Sequence, residues 1–597
     1  MVGRTAPFTK VLVANRGEIA VRIFRTLREL GIGTVAVYSD VDRGRLHAEV
    51  ADEAYLIGPG PPAESYLRGD VVVETALRAG AQAVHPGYGF LAENAEFARL
   101  VESAGLTWIG PSADAIEAMG SKVAARRRMR EAGVPIVPGT VDPAESLEDL
   151  RGAAQEVGYP LAIKASGGGG GKGLKVARDE NELERAFDAA RREGQAYFAD
   201  PTVYVERYVA DPRHVEVQVL ADAHGNVVHL GERDCTMQRR HQKLVEETPS
   251  PAVDDALRAR IGGIAVDAAR AVGYRSAGTV EGLLTPEGEY FFLEMNTRIQ
   301  VEHTVTEAVT GLDIVREQVL IAAGEPLSLR QEDVVWRGHA IECRINAEDA
   351  TRGFQPTPGR ITAYREPGGP GVRVDSGVRS GDEVSGLYDP LIAKLIVHDT
   401  NREAARRRMT RALEEFVVEG PSTLIGFHLA LLEHPCFVAG STCGGVVESE
   451  ELAQRATEIS DSLSHMKTRV GGGSDGVAPT GTRSQLVAVE VDGRVFDVNL
   501  VTAEPAWASL ARKRRARGLG LHGSGGATIV SPMQGTVLRV DVAEGDAVRA
   551  GQIVCVVEAM KMENEIVAHR DGVVRDLAVE AGQSIASGQL VCHVRDE

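Results

Sequence analysis

Two spacings of apolar residues organise this chain. Lys10 to Asn15 (KVLVAN) is a compact apolar strand, and Arg16-Gly17-Glu18 is a turn. Ile19, Ile23, Leu27 and Leu30 then recur at helical spacing before a second strand, Thr34 to Tyr38. Strand, helix and strand in that order predict a parallel sheet. The first turn lacks G-x-G-x-x-G, so no nucleotide site is read into it. His85 to Phe90 is a Gly-rich loop that enters a helix past Glu93-Asn94. Lys122 to Ala132 reads as a basic helix, Leu161 to Lys164 as a strand, and Tyr204 to Tyr208 as the end of another. Thr279-Val280-Glu281 and Leu293 to Asn296 place acidic residues at the ends of neighbouring strand-like segments.

Towards the C-terminus the period becomes two. Gly535 to Val557 aligns without a gap on Gly572 to Val594, 37 residues further on, and nine of the 23 positions are identical. A duplicated unit of short alternating strands predicts a small all-β domain with its halves packed face to face. Lys561 falls between the halves, at an expected hairpin tip, where an exposed side chain on rigid strands suits a covalently carried group. The plain alternative is a surface lysine flanked by Met560 and Met562. Upstream, Lys467 to Thr482 is rich in Gly, Ser and Thr and reads as linker, and Val487 to Leu500 as a hairpin around Asp492-Gly493. The basic run Arg512 to Arg517 reads as solvated linker; the stretch 502–526, if flexible, spans about 25–30 Å root mean square.

The bulk numbers narrow the class. A chain of 597 residues with 43% apolar content predicts several domains with real cores. Its 85 acidic and 66 basic residues give a net charge of −19, which argues against a polyanion-wrapping protein, so no nucleic-acid partner is expected. Six cysteines (235, 343, 436, 443, 555 and 592) show no CxxC, so neither a disulfide framework nor a zinc site is expected. No secretory h-region and no apolar run of spanning length are visible, so the expectation is a soluble, cytoplasmic protein with no membrane contact.

The candidate chemistry is concentrated between residues 122 and 303. The loop Ser166 to Leu174 (SGGGGGKGL) is not a Walker A motif, because Gly is missing at 166 and Ser or Thr at 173. Consecutive glycines nevertheless let backbone N–H groups approach phosphates and close as a lid, here with Lys164 before the loop and Lys172 inside it. Arg233 to Lys243 concentrates cations that suit a triphosphate and a small anion. Glu281, Glu294 and Asn296 form an all-oxygen set suited to Mg2+.

Long stretches then carry a resemblance. From Lys10 to about Gly440, GGGGGKG, PRHVEVQVL, RDCTMQRRHQKLVEE, EMNTRIQVEH and ECRINAED resemble the biotin carboxylase subunit of acyl-CoA carboxylases, an ATP-grasp enzyme. The Met-Lys-Met tip in its duplicated unit, roughly Ala527 to Glu597, resembles biotinyl domains; lipoyl domains share the fold but usually carry Asp and Ala beside the lysine. The whole chain resembles the fused α chain of a bacterial acyl-CoA carboxylase.

That resemblance implies a multidomain architecture: an α/β N-terminal domain (1–120), an ATP-grasp α+β domain with a glycine-rich lid (121–330), and a mixed C-terminal carboxylase domain (331–450). A linker with the hairpin (451–526) and an all-β biotinyl domain of flattened-barrel or sandwich form (527–597) complete it. It implies ATP, Mg2+ (or Mn2+) and covalent biotin on Lys561 as cofactors. It places Lys122, Lys164, Glu206, His214, Gln238 and His241 around ATP, with Gly169, Gly170 and Gly171 over the phosphates. Glu281 and Glu294 hold the metal with Asn296 nearby, and Lys243, Arg298, Gln300 and the Val301 backbone clamp bicarbonate. Glu302 is the implied general base, provided burial raises its pKa, and Arg344 stabilises the biotin anion. Two positions depart from the family pattern: Gly282 stands where Phe is usual, which is expected to loosen the adenine or metal wall, and Thr304 where Pro is usual.

No carboxyltransferase domain is read in the chain, so a separate carboxyltransferase (β) subunit, a biotin protein ligase and a homo-oligomer within a larger complex are implied. The alternatives are the biotin carboxylase component of a pyruvate or other non-CoA carboxylase, a lipoyl-type carrier scaffold, and an ATP-grasp ligase acting on another carboxylate.

Overall fold

Val11, Leu12 and Val13 are fully buried because β1 (Lys10–Val13) is the central strand of a five-stranded parallel sheet. Its partners are β2 (Gly33–Ser39), β3 (Glu53–Gly58), β4 (Ala83–His85) and β5 (Thr107–Trp108), in the order β3-β2-β1-β4-β5. The helix Gly17–Glu29 follows β1 directly and buries Ile19, Ile23 and Leu27, the residues its period singled out. In this computed structural model the described residues are 6–140, 144, 146–165, 174–198, 201–240, 242–470, 482–491, 494–503, 528–559, 562–586 and 588–595. They divide into two units, Met1–Thr457 and Glu458–Glu597.

In the first unit, β6 (Leu161–Ala165) pairs with β7 (Leu174–Ala177) and β8 (Val203–Arg207) in a small antiparallel sheet. The glycine loop between β6 and β7, with Gly169, Gly170 and Gly171, lies outside the described residues, as do His241, Lys561 and the Lys122 side chain. The principal sheet comprises β9 (Arg213–Ala221), β10 (Val227–Arg239), β11 (Gln242–Thr248), β12 (Ser276–Leu284), β13 (Tyr290–Asn296) and β14 (His339–Asn346). Its order is β13-β12-β9-β10-β11-β14, extended by the strands Leu391–Asp399 and Val372–Ser376. Neighbours throughout are antiparallel, and the β11–β14 pairing carries the sheet across position 330.

Alternation on β9 decides what each face of this sheet does. Val215, Val217 and Val219 pack into a core with Ile261, Ala265 and Ala268 of the helix Asp255–Ala271. His214, Glu216 and Gln218 take the other face, where Glu216 and Gln218 are fully buried. A strand with one Val-rich face and one ionic face is a sheet covered on both sides whose polar side serves chemistry.

The second unit holds two four-stranded sheets. One runs Thr528–Val530, Leu590–Arg595, Gly572–Arg575 and Ala547–Val548; the other runs Met562–Val567, Ile553–Ala559, Gly535–Val540 and Ser584–Ile585. The repeat is real, but its halves interleave instead of packing as two separate blocks. Gly535 pairs with Ile585 and, 37 residues on, Gly572 pairs with Val548. Ile529 opposite Cys592 likewise corresponds to Ile566 opposite Cys555, so the symmetry begins before Gly535. Both glycines are required by close approach: a Cβ on Gly535 would lie 2.3 Å from the Glu558 carbonyl oxygen, and one on Gly572 2.5 Å from that of Arg595. Cys555 and Cys592 are fully buried beside Val537, Val554 and Val591, as small core residues.

Three sequence expectations need correction. Against the expectation of no disulfide framework, Cys436 and Cys443 form one local disulfide across the turn after the short helix Pro435–Val438. The stretch read as linker from 451 opens within a helix, Glu450–Val470, whose apolar residues recur at helical spacing. The hairpin is longer than read: Thr482–Val491 pairs with Arg494–Ala503, its turn at 492–493 being outside the described residues. Among the described residues, no helix is long and apolar enough to cross a membrane.

Candidate active site

The polar face of the principal sheet gathers cations and carboxylates from β9, β10, β11, β12 and β14 and from the segment that ends at Glu302. β9, β10 and β12 set Arg233 and Glu281 on either side of Glu216, since Glu216 is registered against both. Arg233 is fully buried and consumes its whole fork: Nε donates to Glu216 at 2.5 Å, Nη1 to Gln218 at 2.8 Å and Thr306 at 3.0 Å, and Nη2 to Gln300 at 2.7 Å and Thr279 at 3.1 Å. On β11, the register against β10 slips between Gln238–Lys243 and Met237–Val245, a bulge that changes the alternation. Lys243 Nζ thereby meets Glu216 at 2.5 Å, Glu302 at 2.7 Å and Glu281 at 2.9 Å. Burial alone lowers an ammonium; these three carboxylates outweigh it and hold Lys243 well above its ordinary range.

Glu302 precedes the helix His303–Thr310 and receives Lys243 on one oxygen and Arg344 of β14 on the other, the latter at 2.9 Å. Arg344 also donates to Glu246 of β11 at 2.6 Å. Burial pushes the Glu302 carboxyl up, but Lys243, Arg344 and Arg233 pull harder and hold it well below the usual range. The expectation that burial raises Glu302 is therefore corrected: it is ionised at every physiological pH.

Glu281 sits in mid-strand on β12, directly opposite Glu294 on β13, not at a strand end. Burial opposes its charge, while Lys243 and His214, the latter 2.8 Å away, keep it ionised far below the usual range. Glu294 and Asn296 also line a cavity of about 220 Å3 with Glu93, Met119 and Ala125. Two facing carboxylates on adjacent strands fit a hard divalent cation. Asn296 does not yet offer its oxygen: Nδ2 donates to Glu281 at 2.8 Å, and Oδ1 accepts from Arg298 at 2.9 Å.

The expected bicarbonate clamp is only partly gathered. Arg298 spends Nε on Glu93 at 2.8 Å, and Gln300 is committed on both sides, accepting from Arg233 and donating to Glu281 at 2.6 Å. The Val301 carbonyl accepts from Lys394 Nζ at 2.8 Å. Elsewhere, Lys164 of β6 pairs with Glu206 of β8, whose other oxygen accepts from Arg126 at 2.5 Å. Gln238 donates to the Cys235 carbonyl at 3.1 Å, and Lys122 is the first residue of the helix Lys122–Glu131. Arg233, Glu216, Glu246 and Lys394 carry the network and were not singled out as site residues. Their signal is a charge at an inward position of an otherwise apolar strand.

Gly282 does not leave a gap. A Cβ there would lie 2.3 Å from Tyr290 Cζ, so the ring of the neighbouring strand fills the space. The Tyr290 hydroxyl donates to the carbonyls of Val215 and Val280, which fixes the ring. Gly282→Ala is expected to destabilise the protein by about 1–3 kcal/mol through overpacking, read as a lower urea midpoint at unchanged slope. Thr304 donates its hydroxyl to Glu342.

The tail closes its carrier hairpin with Ala559 registered against Met562, leaving the two-residue connection 560–561 that contains Lys561.

Comparison with known proteins bears on this arrangement. Four family models match: "Biotin carboxylase, N-terminal domain" at 7–116, "Carbamoyl-phosphate synthase L chain, ATP binding domain" at 121–330, "Biotin carboxylase C-terminal domain" at 342–449, and "Biotin-requiring enzyme" at 527–594. Biotin carboxylase 1 of Bacillus subtilis is 56% identical over 432 residues, covering 72% of this chain and 96% of that one. The biotin-dependent acyl-coenzyme A carboxylase alpha3 subunit of Mycobacterium leprae is 46% identical over 576 residues, 95% of each chain. Among solved structures, the biotin carboxylase domain of Hydrogenobacter thermophilus 2-oxoglutarate carboxylase, crystallised with MgADP, ADP and bicarbonate, matches at a TM-score of 0.70 and 47% identity, covering 75% of this chain and 98% of that one.

Proposed function

Because this chain belongs to the biotin-dependent carboxylase family, as an ATP-grasp biotin carboxylase joined to a biotinyl domain, we propose that it is the α subunit of an acyl-CoA carboxylase. In this reading it charges biotin on Lys561 with the CO2 of bicarbonate and passes it to a separate carboxyltransferase subunit. The observation that carries the reading is the match along 95% of both chains to an acyl-CoA carboxylase α subunit. Covalent biotin, ATP and Mg2+ are the cofactors of such an enzyme.

The roles are those that the family resemblance implies, and the charges present suit them. Transfer of a phosphoryl group from ATP to bicarbonate needs neutralised, aligned oxygens more than covalent help. Lys164 and the glycine loop are assigned to the triphosphate, and Lys122, Glu206, His214, Gln238 and His241 to the nucleotide. Glu281 and Glu294 would hold Mg2+, which would neutralise the triphosphate oxygens, with Asn296 nearby. Lys243 and Arg298 receive bicarbonate, and Gln300 and the Val301 backbone complete its seat. An arriving anion draws Lys243 away from Glu302, whose basicity then rises toward what proton abstraction needs. Biotin supplies the ureido nitrogen that takes up the carboxyl group, and Arg344 offers a guanidinium to the charge that develops there. Domain limits near 120, 330, 450 and 526, a cytoplasmic location, a biotin protein ligase as partner and a homo-oligomeric body belong to the same proposal.

The second reading, a carboxylase of a non-CoA acceptor, draws on the likeness to a 2-oxoglutarate carboxylase domain. The test is to purify the biotinylated chain with the carboxyltransferase that accompanies it and supply MgATP, labelled bicarbonate and either acetyl-CoA and propionyl-CoA or pyruvate and 2-oxoglutarate. Label entering a CoA thioester is the expected result. Label entering only the 2-oxo acids overturns the acyl-CoA assignment.

A further inference from the structure

Two glutamates stand directly opposite each other on the sheet face that meets the helix His303–Thr310: Glu246 of β11 is registered against Glu342 of β14. Both are fully buried. Directly opposed residues of an antiparallel pair hold their Cβ atoms about 4.5–5.5 Å apart, which brings two carboxyl groups within reach of each other. Each has one oxygen engaged. Glu246 Oε1 accepts from Arg344 Nε at 2.6 Å, and Glu342 Oε2 accepts from the Thr304 hydroxyl. The remaining oxygens, Glu246 Oε2 and Glu342 Oε1, are buried and have no hydrogen-bond partner among the described residues. Two buried acceptors on directly opposed residues are costly unless a donor serves them, and one proton lets either carboxyl donate to the other.

We propose that Glu246 and Glu342 hold a single proton between them, and that this acid–carboxylate pair is the positioning group that keeps Arg344 against Glu302. The inference rests on the reading that Arg344 serves carboxyl transfer. The charged and titratable groups around the pair are Arg344 and the Cys343 thiol on β14, Lys243 on β11, Lys394 on the strand Leu391–Asp399, and Glu302 at the start of the facing helix. His428 of the helix Ile425–Glu433 meets the Arg344 carbonyl at 2.7 Å. With both glutamates ionised, Arg344 faces three carboxylates; with one proton shared, it balances the pair against Glu302. Burial is the main cause raising Glu246 to about 8 and Glu342 to about 7, which agrees with one proton retained near neutrality. Above that range the second carboxylate ionises, draws Arg344 to the pair and releases Glu302. Thr304 belongs to the device, because its hydroxyl favours the charged form of Glu342 and so fixes where the proton leaves.

Difference infrared spectra of the full-length biotinylated protein at pH 7, with carboxyl-labelled glutamate, test the proton directly. A protonated-carboxyl band lost in both Glu246→Gln and Glu342→Gln is expected. A band unchanged in both variants overturns the shared proton, whatever Arg344 does. The pH profile of biotin-dependent ATP hydrolysis tests the positioning role. In Glu342→Gln, a permanent donor, the alkaline limb of kcat is expected to move up by about one pH unit or vanish. In Thr304→Val, which keeps both carboxyls, it moves in the same direction. Limbs superimposable on that of the unaltered protein in both variants overturn the positioning role; a loss of kcat uniform across pH in both does the same.

Discussion

Lys243→Met is expected to lower bicarbonate-dependent ATP hydrolysis by about 10^2–10^3-fold, the usual loss for one preorganised cation at a site of developing charge. The same change is expected to destabilise the protein on the order of 3–5 kcal/mol, because it strands Glu216, Glu281 and Glu302 in a buried site without the cation they share. The two effects separate by pH. Glu281 and Glu302 are held below their ordinary range, so the stability they contribute is present above the unfolded-state value of about 4.3 and disappears as pH falls through the folded-state values. Without Lys243 those carboxyls rise and take up protons readily, so the stability deficit is largest near pH 7.5 and shrinks toward pH 5. Urea unfolding at the two pH values reads this, and activity does not recover with it. An equal deficit at both pH values contradicts the assignment of Lys243 as the common counter-charge.

Glu302→Gln is expected to reduce kcat for biotin-dependent ATP hydrolysis by about 10^2–10^4-fold while leaving KM for MgATP within a few-fold, the signature of a lost proton acceptor. The amide occupies the same volume but keeps one acceptor oxygen, so it receives Lys243 or Arg344 and not both, and urea unfolding checks that the fold is retained. Because Glu302 is ionised throughout the physiological range, the acid limb of the wild-type profile does not report its protonation in the resting enzyme. A Glu302→Gln variant within about 10-fold of wild-type kcat assigns the base to another group.

Much of this was legible from local pattern. The β-α-β opening and the paired strands of the hairpin each follow from local spacing. The 37-residue repeat was legible too, but not which half pairs with which, since interleaving is a property of register between distant strands. The same limit governs the site. Lys243, Glu281, Glu302 and Arg344 stand out by residue type and motif, whereas the sign of the Glu302 shift depends on three cations brought from β10, β11 and β14. Burial was foreseeable and its counterweights were not. Arg233 reads as one charge among many in RDCTMQRRHQK until its register against Glu216 makes it the buried centre of the network. Gly282 looked like a missing wall because the sequence does not show that Tyr290, eight residues on, fills the same space.

The most direct measurement is transfer of labelled bicarbonate onto the chain itself. The protein, biotinylated by co-expression with a biotin protein ligase, is incubated with MgATP and labelled bicarbonate, freed of small molecules, and compared with Lys561→Arg. Label retained by the biotinylated chain at up to one carboxyl per molecule, absent from Lys561→Arg while that variant still carboxylates free biotin, is the predicted result. A biotinylated chain that retains no label, or equal label on both proteins, contradicts the claim that this enzyme loads its own Lys561.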